Sequence, residues 1–171
     1  DDPLKFSNND MRFVALGGGA TATSTLKAVE SCLLSNENCQ VIVLLSPVND
    51  IFDREIKIKQ RGNVEVCKNV PDLSHFFKTA GVVVASYGHL AYEAMSYGAP
   101  LCLVGQKQFQ TTYARRLEQK QLCVSAGVLS EITTEQLGKS IEITKNMANE
   151  LSRKTFTTFD GGGFTSIAEL I

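Results

Sequence analysis

The stretch Val82-Val-Val-Ala-Ser-Tyr-Gly-His-Leu-Ala-Tyr-Glu-Ala-Met-Ser-Tyr-Gly-Ala-Pro100 reads as a strand, a turn and a helix in immediate succession. Residues 82–85 are apolar throughout, which suits a strand buried on both faces. Ser86, Tyr87 and Gly88 make a turn, and a helix is predicted from His89 to Tyr97. Gly98 and Pro100 end it, a C-terminal glycine followed by a residue that cannot continue a helix. A second apolar run, 101–104, comes directly afterwards. Strand, helix and strand in this order form the repeating unit of a parallel sheet covered by helices.

The same grammar extends in both directions. Further strands are predicted at 12–16, 41–45, 64–67 and 122–124, each apolar and rich in Val, Leu or both. Between them lie segments of helical period. In the first, Ala22, Leu26, Val29 and Leu33 recur at three- and four-residue steps and make one face apolar. Others are predicted at 50–61, 72–79, 111–120 and 134–149. Right-handed crossovers make this a doubly wound, Rossmann-like α/β fold, with six parallel strands in the order 3-2-1-4-5-6 and helices on both faces. The polar residues 1–10, with Pro3, Asn8, Asn9 and Asp10, read as a linker into a single domain spanning 11–171.

Composition narrows the function classes. The chain has 171 residues, 43% of them hydrophobic, enough for one sizeable core. Lys and Arg total 17 against 18 for Asp and Glu, a net charge of −1, so no basic excess is present to hold a nucleic acid. The longest apolar runs fall far short of the roughly 18 to 20 residues that span a bilayer, and no membrane span is expected. No cleavable signal pattern is present, and a chain beginning at Asp1 without methionine is expected to be cut from something longer. The five cysteines are odd in number and widely spaced, with no C-x-x-C, and neither His75 nor His89 stands at ligand spacing from any of them. No metal site is expected, and buried thiols in a reducing cytoplasm fit this usage. The alternative is a Cys32–Cys39 bridge across residues 35–38.

Ligands of doubly wound sheets bind outside the carboxyl ends of the strands, where the winding reverses. Three loops lie there. The first is Gly17, Gly18, Gly19 and Ala20, leading from a strand straight into a helix. Its glycines admit close backbone approach, and the helix start offers free N–H groups to a phosphate; the alternative is a plain turn. Gly17, Gly19 and Ala22 match the dinucleotide pattern, but the second strand runs into Ser46 and Pro47 without an acid for a ribose diol, so NAD is disfavoured. The Gly-Lys-Ser/Thr ending of a triphosphatase loop is also absent. No cofactor is expected.

The second loop, Ser86 to His89, opens a helix that carries Glu93 on the same face as His89, aimed back toward the crevice. Such a carboxylate can accept two hydroxyl hydrogen bonds, or it can simply complement the helix dipole. The third loop, 105–110, carries Gln106, Gln108 and Gln110, with Thr111 and Thr112 behind them. Uncharged amides and hydroxyls suit sugar recognition; a solvated loop is the alternative.

Together, the glycine loop, the segment Val82 to Pro100 and the spacing Gln110-x-x-x-Ala114 resemble the C-terminal donor-binding domain of GT-B glycosyltransferases. Among these the chain is most similar to the UDP-sugar hydrolases of pseudaminic acid biosynthesis, and more distantly to the lipid II-forming N-acetylglucosaminyltransferases. The tail Asp160-Gly161-Gly162-Gly163 points to the hydrolases too. The resemblance implies a domain that binds a nucleotide-diphosphosugar, specifically a UDP-sugar. Glu93 would hold the ribose hydroxyls. The N–H groups of Ser86, Gly88, His89 and the loop Gly17 to Ala20 would face the diphosphate, and Gln110 with Thr111 would contact the sugar. Two positions depart from the pattern: Tyr87 replaces a usual glycine, and Ser166 a usual arginine. The catalytic base would belong to an N-terminal GT-B domain absent from this chain, which alone would be inactive. The second reading is a non-catalytic sugar-nucleotide sensor.

Overall fold

Alternation along the central strands decides the two layers of the core. The computed structural model describes residues 9–45, 57–59 and 62–159. Strands β1 (Met11–Ala15), β2 (Gln40–Leu45), β3 (Val64–Lys68), β4 (Val82–Ser86), β5 (Leu101–Gly105) and β6 (Val124–Val128) form one parallel sheet in the order β3-β2-β1-β4-β5-β6. This is the order expected from the sequence. Phe13, Val83, Leu101 and Leu103 point to one face, and Val14, Val82, Val84 and Cys102 to the other. Because both faces are buried, the middle strands carry no polar alternation.

Helices α1 (Ala22–Ser35) and α5 (Thr134–Asn146) cover the second face, packed against each other, with Ile58 from the helical residues 57–59 beside them. The first face receives α2 (Ser74–Thr79), α3 (His89–Ser96) and α4 (Gln108–Gln119). Helix α6 (Ala148–Thr158) packs on α3. Crossovers therefore change side between β1 and β4, and the ends of these neighbouring strands open a crevice.

Local chemistry sets several helix ends. Thr21 caps α1, its Oγ1 accepting the Ser24 N–H at 3.1 Å. Thr133 and Gln136 form a reciprocal capping box on α5. Asp72 accepts the Ser74 N–H at 2.8 Å just before α2, and the two bonds from Ser74 hold its carboxyl below the usual range. Gly98, at φ 70°, ends α3 with its N–H on Met95 and that of Ala99 on Ala94. Ser152 of α6 lies against Gly98, 3.2 Å from where a Cβ would stand.

Three elements depart from the sequence expectation by more than two residues at an end. The sixth strand, expected at 122–124, occupies Val124–Val128. Leu122 instead closes the C-terminus of α4, its N–H on the Leu117 carbonyl and the Gln121 N–H on Glu118, with Gln121 at φ 58°. The true strand runs along the sheet edge through Ser125, Ala126 and Gly127, so its apolar signal is weak. Helix α4 begins at Gln108 rather than 111, because the Gln110 side chain binds the N–H of Lys107 and closes the first turn. The helix expected over 134–149 breaks at Met147, and α6, not anticipated, follows.

The helix expected at 50–61 lies outside the described residues apart from 57–59, as do residues 1–8 of the expected linker. Asn9 is tied to the fold: its Oδ1 accepts the Met11 N–H at 3.0 Å, its Nδ2 donates to the Thr79 carbonyl, and its carbonyl accepts Lys145 Nζ at 2.6 Å. All five cysteines are free of disulfides. Cys39 Sγ donates to the Cys32 carbonyl at 3.5 Å, and burial pushes both thiols up. Among the described residues no helix is long and apolar enough to cross a membrane.

Candidate functional site

The loops at the ends of β1, β4 and β5 enclose a cleft of about 440 Å³. Its walls are Leu16 to Gly19 after β1, Ser86 to Leu90 at the start of α3, and Gln106, Lys107, Phe109 and Gln110 after β5. Of the residues singled out in the sequence, Gly17, Gly18, Gly19, Ser86, Gly88, His89 and Gln110 meet here. Ala20, Glu93 and Thr111 are not part of the lining. Ala20 is buried, its N–H closing a turn onto the Gly17 carbonyl at 3.3 Å. Thr111 is buried behind Gly105, where a Cβ would stand 2.3 Å from its hydroxyl. Glu93 is exposed on α3.

The glycine loop has the conformation that its composition suggests. Gly17 sits at φ 75°, a region that favours glycine, and Gly17, Gly18 and Gly19 are exposed. A Cβ on Gly19 would stand 2.9 Å from Gln106 Oε1, so loop and side chain are in close contact. The helices that follow the first and second loops start differently. Thr21 occupies the N-cap of α1, whereas α3 begins at Gly88 with no side-chain cap. His89 and Leu90 of its first turn line the cleft at the positive end of the dipole, while the Ala91 N–H is taken by the Gly88 carbonyl at 3.0 Å.

Two glutamines brace the loops. Gln106 Nε2 donates to the Leu16 carbonyl at 2.6 Å and to Ser86 Oγ at 3.0 Å, joining the ends of β1, β4 and β5. Gln110 Oε1 accepts the Gln106 N–H at 2.7 Å, and its Nε2 donates to the Tyr87 carbonyl at 3.0 Å.

Sequence reasoning placed Gln106 and Tyr87 in the candidate loops without giving either a ligand contact, and it did not point to Leu16, Leu90, Lys107 or Phe109. An apolar residue in a polar loop could have pointed to Phe109, which is 57% exposed at the cleft wall. Tyr87 stacks on Tyr113, centroids 5.4 Å apart, and shares a 2.8 Å hydroxyl contact with Tyr92. That bond, with partial burial, pushes the Tyr87 phenol up to about 12, so it stays protonated at neutral pH. Lys107 and His89 line the cleft, and no carboxylate does among the described residues. Such a lining suits an anion and offers no carboxylate base for activating water. Ser46, Pro47, the tail at 160–163 and Ser166 lie outside the described residues.

No family model and no curated protein matches the chain. Solved structures do. MurG of Acinetobacter baumannii superposes with a TM-score of 0.70 at 13% identity, covering 99% of this chain and 53% of that one. Arabidopsis thaliana UGT89C1 complexed with UDP-L-rhamnose gives 0.66 at 14% identity, over 95% of this chain and 43% of the other. The spinosyn rhamnosyltransferase SpnG gives 0.66 at 18%, over 87% and 42%. The chain thus spans about half or less of each neighbour's length, and its fold is the Rossmann-like one of GT-B C-terminal domains.

Proposed function

We propose that this chain binds a nucleotide-diphosphosugar, specifically a UDP-sugar, as the C-terminal half of a GT-B enzyme acting at the anomeric carbon. The observation that carries this reading is the cleft itself. An exposed glycine loop and an uncapped helix start face a common space lined by Lys107 and His89 and, among the described residues, by no carboxylate. Backbone N–H groups with a helix dipole behind them suit a diphosphate. Complexes such as that of UGT89C1 with UDP-L-rhamnose, on the same fold, support a nucleotide sugar as ligand. The spacing from Gln110 to Ala114 and the tail Asp160-Gly161-Gly162-Gly163 favour the hydrolases of the pseudaminic acid type within this class.

In this assignment the diphosphate lies against Gly17, Gly18, Gly19 and the start of α3 at Ser86, Gly88 and His89. Glu93, exposed one turn further along α3, takes the ribose hydroxyls at the rim. The base that activates water or an acceptor hydroxyl comes from a partner domain. The 171-residue chain is therefore expected to bind UDP but to release none from UDP-sugars. Steady UDP release by the purified chain, abolished by a mutation within it, would refute that division of labour.

Calorimetric titration with UDP tests the ligand class directly, and Glu93→Gln tests the ribose assignment. Losing a hydrogen bond to a charged group removes roughly 1.5 to 3 kcal/mol, so UDP affinity should fall about tenfold to a hundredfold. 2′-Deoxy-UDP should bind the wild type weakly and lose little more in the variant. Additive losses would show that Glu93 does not touch the ribose. A helix-dipole role would lower stability by less than about 1 kcal/mol and leave affinity unchanged.

A further inference from the structure

We propose that Gln110 is a positioning residue, orienting the Tyr87–Gly88 peptide so that its N–H faces the phosphates; this rests on the nucleotide-diphosphate reading above. The Gln110 amide is used in both senses. Oε1 accepts the backbone N–H groups of Gln106 at 2.7 Å and Lys107 at 3.2 Å, while Nε2 donates to the Tyr87 carbonyl at 3.0 Å. The Tyr87 N–H donates to the Val104 carbonyl at 3.3 Å. Both backbone polar groups of Tyr87 are thus tied to β5 and the helix that follows it.

The direction of the next N–H then follows from peptide geometry. A trans peptide is planar, with its C=O and N–H antiparallel. With the Tyr87 carbonyl turned toward Gln110, the Gly88 N–H points the other way. Gln110 stands on the β5 side of β4, and the sheet order puts β1 with its glycine loop on the opposite side. The Gly88 N–H therefore faces across the cleft toward Gly17–Gly19. Without the Gln110 bond this peptide can turn and carry its donor out of line. A direct sugar contact by Gln110 is left with the second N–H of Nε2, since Oε1 already accepts two N–H groups and the first Nε2 donor is on the Tyr87 carbonyl.

The test compares wild type, Gln110→Ala and Gln110→Glu by calorimetry with inorganic pyrophosphate, UDP and UDP-N-acetylglucosamine. The ¹⁵N-resolved Gly88 amide resonance and Tm are recorded alongside. Gln110→Ala should weaken all three ligands by one common factor, roughly tenfold, and shift the Gly88 resonance in the ligand-free protein. Gln110→Glu keeps the two accepted bonds but has no donor for the Tyr87 carbonyl. Its added charge would repel pyrophosphate directly, so the readout for this variant is the Gly88 resonance of the ligand-free protein, which should shift as in the alanine variant and covers the case in which that variant is unstable. A loss confined to UDP-N-acetylglucosamine would make Gln110 a sugar contact, and unchanged affinities or an unmoved Gly88 resonance would make it a plain helix cap; each overturns the assignment alone. Wild-type protein that takes up none of the three ligands would overturn the nucleotide reading, and this assignment with it.

Discussion

Gly19→Val is expected to lower UDP affinity by more than a hundredfold while the sheet stays folded. A Cβ at this position already stands 2.9 Å from Gln106 Oε1, and valine adds two methyl groups beyond it. Gln106 cannot retreat freely, because its Nε2 is held by the Leu16 carbonyl and Ser86 Oγ. Either the amide gives up those bonds, at about 0.5–1.5 kcal/mol each, or the loop moves outward into the space proposed for the phosphates. Two charge-assisted bonds lost from the ligand together remove roughly 3–6 kcal/mol of binding. Calorimetry with UDP measures the loss, and circular dichroism checks the fold. A folded Gly19→Val variant with wild-type affinity would show that no ligand approaches this loop.

The second large effect lies in the core. Phe13 is fully buried at the centre of the sheet, between Ile42 of β2 and Val83 of β4 in register. Its ring stacks on Phe76, centroids 4.7 Å apart, and meets Phe77 edge-on at 5.9 Å. Phe13→Ala removes these contacts and leaves a hole that the two-sided sheet cannot collapse to fill, so about 3–5 kcal/mol of stability should be lost. At roughly 2–4 °C per kcal/mol for a chain of this size, Tm should fall by about 6–20 °C. Because the ring does not line the cleft, UDP affinity measured well below Tm should hold. A loss under about 1 kcal/mol would mean that Phe76 and Phe77 close over the gap.

The winding of the sheet was legible because it is written in local signals. Apolar runs with intervening helical periodicity mark each strand and crossover, and handedness leaves few orders to choose from. Gly98 as a helix stop and Gly17 as a turn glycine are equally local, since each depends on its own φ. The signal failed where it became weak or ambiguous. At the edge, β6 carries Ser125 and Gly127 on a half-exposed strand, and Gln121 takes a left-handed conformation more often filled by glycine.

Site membership was decided by contacts that cross the chain. The sequence alone determined which loops stand at the carboxyl ends of β1, β4 and β5, and it placed seven of the candidate residues on the cleft wall. Tertiary structure alone decided what the amides do. Gln106 reaches a carbonyl 90 residues away in sequence and Gln110 one 23 residues away, and no local pattern encodes either partner. It also buried Thr111 behind Gly105 and left Glu93 exposed outside the lining, because packing of α3 and α4 on the sheet, not residue type, sets which face of a helix meets the cleft.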